Sequence, residues 1–127
     1  MSKKAHVLIV DCEVNMCWAL EDILILEGYK TYSATTGKEG LNLINLLHPN
    51  ISMLFLDAKL SDIDCMRFAS LAKQRHPQIK IIILSGNYDS KAVRQGFANN
   101  YFFDGFISKP FNVSEIRSAI KTIAPSQ

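Results

Sequence analysis

Cysteine is scarce in this sequence and does not pair up. Its three residues, Cys12, Cys17 and Cys65, are odd in number and show no CxxC spacing. That argues against a disulfide framework and against a structural zinc site. Charge of one sign is missing too: the net charge is +2, with no basic run or stripe, so no nucleic-acid surface is expected. No apolar run approaches the ~20 residues of a membrane-spanning helix. The basic start "MSKKAH" leads into a short run that meets Asp11 within a few residues, so no signal peptide is expected. Internal repeats, linkers and low-complexity segments are also lacking. What remains is one domain, 1–127, whose 48% hydrophobic and 20% charged residues suit a folded core in a reducing cytoplasm.

Along the chain, short apolar runs alternate with longer amphipathic segments. Strands are predicted over 5–11, 29–35, 51–57, 79–85 and 103–108. Helices are predicted over 15–28, 36–48, 64–76, 89–99 and 112–124. In the first helix Met16, Leu20, Ile23 and Leu24 follow helical spacing and Gly28 is a natural stop. Thr36 and Glu39 form a capping-box pattern, Asp64 is a predicted N-cap, and Asn112 with Glu115 forms another cap. Strands without polar alternation imply burial on both faces, hence an α/β fold with a five-stranded parallel sheet between two helical layers.

In such sheets the binding crevice lies beyond the carboxyl ends of the strands. Asp11, Asp57 and Ser85 end three different strands, and Lys109 sits just past the fifth. Each alone is ordinary, since an Asp at a strand end is often a turn former and a lone Lys is usually solvated. Together they form a set. Clustered carboxylates suit a hard cation such as Mg²⁺. An ammonium and a hydroxyl opposite suit the oxygens of a phosphoryl group. The combination describes phosphoryl transfer onto or off a carboxylate.

The sequence resembles the receiver domain of two-component response regulators over essentially its whole length. The matching segments are "LIVDCE", "LFLDAKLSDID", "IIILSG" and "FISKPF", in that order. The resemblance implies a doubly wound, flavodoxin-like (CheY-like) three-layer (βα)5 fold. It implies that Asp57 is the phosphoacceptor, with a histidine kinase or phosphotransfer protein as donor. Asp11, Asp57 and the backbone carbonyl of Lys59 would hold Mg²⁺; Ser85 and Lys109 would contact the phosphoryl group. Ser85 and Phe106 would act as switch residues, and Pro110 would follow a cis peptide bond. The output would be an altered surface over 89–99, 103–108 and 112–124, read by a partner or an attached region. A homodimer is compatible with this. Such a domain is a signalling module, with at most self-phosphorylation from small phosphodonors and autodephosphorylation.

The chain departs from the family pattern in three places. Cys12 stands where the family has a second acid that ligates metal. Mg²⁺ prefers carboxylate oxygen to sulfur, so its affinity should fall. Phosphorylation could survive this. The domain could instead be a pseudo-receiver that signals by binding alone. Cys12 could also be a redox or soft-metal site, though no second Cys or His is placed in the sequence to help. The second departure is "FANNYFFDGF", where Tyr101, Phe102 and Phe103 are either core or a partner surface. The third is "LSDID" (60–64), which adds Asp62 and Asp64 close to the acceptor. An aspartyl-nucleophile phosphatase would want an acid two residues after Asp57, where Lys59 stands. A flavin site would want glycines in "DCEVN". The sequence leaves both a stand-alone receiver and a piece of a longer regulator open.

Overall fold

A computed structural model describes residues 6–47, 49–86 and 103–123. The apolar runs form β1 (His6–Val10), β2 (Lys30–Ala34), β3 (Ile51–Asp57), β4 (Lys80–Ser85) and β5 (Gly105–Ser108). Between and after them lie α1 (Val14–Leu26), α2 (Gly37–Leu47), α3 (Cys65–Arg75) and α4 (Val113–Ile123). The helix predicted over 89–99 lies outside the described residues, as do Tyr101 and Phe102. All five strands pair in parallel in the order β2-β1-β3-β4-β5. The order reverses at β1, so its carboxyl end, and that of β3 beside it, open onto the crevice.

Alternation along the strands divides the core in two. Leu8, Val10, Leu54, Leu56, Ile81 and Ile83 pack with Ile44 of α2 and Phe68, Ala69 and Ala72 of α3. Val7, Ile9, Met53, Phe55, Ile82 and Leu84 pack with Cys17, Leu20 and Leu24 of α1 and Ile116 and Ile120 of α4. Successive strand residues point to opposite faces, so each apolar run feeds both helical layers. Each fully buried aliphatic side chain contributes ~1.5–3 kcal/mol of transfer free energy. That is why the interior strands are apolar along most of their length, with Ser52 and Lys80 only near their starts.

The helix ends follow the sequence signals. Gly28, after α1, has φ 93°, a conformation that favours glycine. Thr36 Oγ1 accepts the Glu39 N–H at 3.1 Å. Asp64 accepts the N–H groups of Met66 and Arg67 at 3.1 and 3.2 Å. Asn112 and Glu115 cap each other reciprocally, at 2.9 and 3.2 Å.

Two expectations need correction. The inner face of α1 is Cys17, Leu20 and Leu24, with Met16 and Ile23 only half-buried. Val14, Trp18, Ile25 and Leu26 are exposed. A helix apolar around most of its circumference gives a blurred periodic signal. Asp62 does not add free charge to the site: it accepts the Gly37 and Lys38 N–H groups at 2.9 and 3.0 Å and so caps α2. Those bonds hold its carboxyl below the usual range. Of the two readings left open for Phe103, the core one holds: it is 7% exposed and packed on the α2–α3 side.

Candidate functional site

Three polar side chains are buried among the described residues: Asp11, Asp57 and Ser85. All three stand at the carboxyl ends of neighbouring strands β1, β3 and β4, which the parallel pairing brings side by side. Burying a carboxylate is costly unless it is paired and hydrogen-bonded, and each acid here is anchored. Asp11 Oδ1 accepts the Glu13 N–H at 2.9 Å, and Asp57 Oδ1 accepts the Lys59 N–H at 3.0 Å. Both are turns in which an Asp side chain bonds its own backbone two residues on. They leave the second carboxylate oxygen to another partner: Lys109 for Asp11 and the Cys12 thiol for Asp57.

Lys109 supplies the counter-charge. Its backbone N–H donates to Ser85 O at 2.6 Å, continuing the β4–β5 ladder by one residue. The Lys109–Pro110 bond is cis, as the motif implied. The ammonium lies 2.7 Å from Asp11 Oδ2, 3.5 Å from Asp57 Oδ1 and 3.9 Å from Glu13 Oε1. Ser85 is at the rim, its Oγ donating to Gly86 O at 3.2 Å. Phe106 is half-buried on β5 against the α2–α3 side of the core.

Cys12 enters the same cluster. Its Sγ is 3.6 Å from Asp57 Oδ2 and 3.8 Å from the Lys59 carbonyl oxygen. Burial and the Asp57 charge push the thiol pKa up, so it stays protonated at neutral pH. Burial also raises the Asp11 pKa, although Lys109 opposes it. For Lys109, burial pulls the pKa down, but the facing carboxylates outweigh it and the net shift is upward.

Asp11, Cys12 and Asp57 each offer one donor atom, all within 4.8 Å of one another. The two carboxylates and the Lys59 carbonyl suit Mg²⁺; the sulfur does not. The structure therefore gathers Asp11, Cys12, Asp57, Lys59 and Lys109 into one cluster, with Ser85 at its edge. Glu13 is a residue to which sequence reasoning assigned no role. Its side chain lies on the outer side of the ammonium while its N–H fixes Asp11, and the i to i+2 Asp turn was the signal that could have found it.

The profile of the response regulator receiver domain family matches residues 7–121. The chain is 26% identical over 122 residues to sporulation initiation phosphotransferase F of Bacillus subtilis, covering 94% of this chain and 93% of that one. It is 24% identical over 119 residues to the DNA-binding transcriptional regulator NtrC of Proteus hauseri, covering 94% of this chain. It spans only 24% of that regulator. A receiver domain protein from Clostridium thermocellum has the same fold, with a TM-score of 0.85 at 21% identity over 94% of this chain and 93% of that one.

Proposed function

The chain belongs to the response regulator receiver family, and on that premise we propose that Asp57 accepts a phosphoryl group from a histidine kinase or phosphotransfer protein. The observation that carries this reading is the Lys109 ammonium held within 3.5 Å of Asp57 and 2.7 Å of Asp11. A buried carboxylate beside a fixed cation is a nucleophile whose product charge is already countered. Asp57 attacks phosphorus in line and the donor leaves. Lys109 then pairs with the phosphoryl oxygens, and Ser85 turns from Gly86 O to donate to them. Phe106 repacks as Ser85 moves, which alters the face made by β5, α4 and the preceding segment for a partner or attached output. Asp11, Asp57 and the Lys59 carbonyl are the groups that would hold a divalent cation. When bound, it neutralises phosphoryl charge.

Cys12 favours a second reading, a pseudo-receiver that binds partners without being phosphorylated. Intact-mass measurement after incubation with acetyl phosphate separates the two. A divalent-cation-dependent adduct of one phosphoryl group, absent in Asp57→Asn, supports the first. No adduct on the native chain, but one on a folded Cys12→Asp variant, supports the second.

A further inference from the structure

Resting on the receiver reading of this site, we propose that its cation position is built for a borderline, thiophilic divalent ion such as Zn²⁺ rather than for Mg²⁺. Its donors are Cys12 Sγ and the carboxylates of Asp11 and Asp57, all within 4.8 Å of one another, with the Lys59 carbonyl beside the sulfur. The sulfur lies 3.6 Å from the Asp57 oxygen and 3.8 Å from the Lys59 oxygen. Zinc–sulfur and zinc–oxygen bonds of about 2.3 and about 2.1 Å at a tetrahedral angle give an S···O edge of about 3.6 Å. Octahedral Mg²⁺ at about 2.1 Å demands O···O edges of about 3.0 Å and near-ideal geometry, which a sulfur corner cannot supply.

A second observation points to a cation independently of the thiol. Asp11 Oδ2 is fully buried, and no backbone N–H or hydroxyl among the described residues is aimed at it. Only the Lys109 ammonium faces it. A buried carboxylate oxygen left to one side-chain cation is a position a metal can take, with the ammonium turning toward Glu13. Cys12 is exposed, so its sulfur is reachable from solvent. On binding, the thiol releases its proton to solvent and coordinates as thiolate. Sequence alone offered no second Cys or His to help. The fold supplies oxygen partners instead, from β3 and from the turn after it.

Cobalt(II) is the probe, because a thiolate ligand gives it a near-ultraviolet charge-transfer band. The full chain, kept reduced, is titrated with Co²⁺, and the bound ion is then competed off with Zn²⁺ or Mg²⁺. The expected result is a one-equivalent band on the native chain, lost in Cys12→Ser, with Zn²⁺ competing at least ~10-fold better than Mg²⁺. Cys12→Asp should remove the band and narrow or reverse that preference. No band, a band that persists in Cys12→Ser, or Mg²⁺ competing as well as Zn²⁺ on the native chain would overturn the proposal. Phosphoryl adducts are scored separately by mass. A band without an adduct under any metal sinks the phosphoacceptor reading and leaves the metal preference standing; an adduct without a band does the reverse.

Discussion

Lys109 Nζ sits 2.7 Å from Asp11 Oδ2, and that carboxylate is fully buried. Removing the ammonium leaves an uncompensated charge inside the protein, which costs ~3–5 kcal/mol. Lys109→Met should therefore lower the urea midpoint strongly. The double variant Lys109→Met with Asp11→Asn should recover part of the loss, because the stranded charge is gone. Equal midpoints for the single and double variants would show that the pair does not share its energy this way.

The cap of α2 by Asp62 is tied to pH. Backbone hydrogen bonds from Lys38 and Gly37 hold its carboxyl below 3.8. A depressed folded pKa means its stability contribution is present above the unfolded value and is lost as pH falls through the folded one. Asp62→Ala should thus be less stable than the native chain at neutral pH, and the two should converge in acid. Chemical denaturation at several pH values checks this, and a constant gap across pH would count against it.

The three thiols should label in order. Cys12 is exposed while Cys17 and Cys65 are buried. Burial pushes the Cys17 thiol up to about 11. Mass-resolved alkylation of the native chain should modify Cys12 first, and slowly for an exposed cysteine, because its own pKa is raised. The other two should react only on unfolding. Early labelling of Cys17 would contradict the packing of α1.

Gly40 lets α2 approach the sheet. A Cβ there would meet Val10 Cγ2 at 2.8 Å and the Phe68 ring at 3.1 Å. Gly40→Val should cost ~1–3 kcal/mol through overpacking, measured as a shift in denaturation midpoint. An unchanged midpoint would mean that Phe68 yields freely.

The strands and the site acids were legible in sequence because their signals are local. A continuous apolar run such as "IKIIILS" can only be a strand buried on both faces at that length, and the polar residue ending it marks the crevice. Asp64 and the Asn112–Glu115 pair were legible for the same reason, since a cap acts within its own turn. Asp62 was not, because the N–H groups it satisfies belong to α2, far back along the chain. Nor was the apolar outer face of α1, since it depends on what the tertiary fold leaves uncovered; for the same reason sequence left Phe103 open between core and surface. The neighbours of Cys12, Asp57 and the Lys59 carbonyl, were legible only through the family resemblance, because β3 and its turn carry them far along the chain.

Asp11 follows β1, an interior strand, whereas Lys109 follows β5, the strand at the edge of the sheet. The neutralising charge is thus the last part of the site to be synthesised, and it is placed only where β5 pairs with β4. Until β5 docks on β4, the chain must desolvate two neighbouring acids with no ammonium between them. Closing the edge of the sheet and balancing the site are then one event, a non-local step of the slow kind. Stopped-flow refolding of Asp11→Asn examines this: a faster folding limb than the native chain's is expected, and an unchanged one would separate the two events.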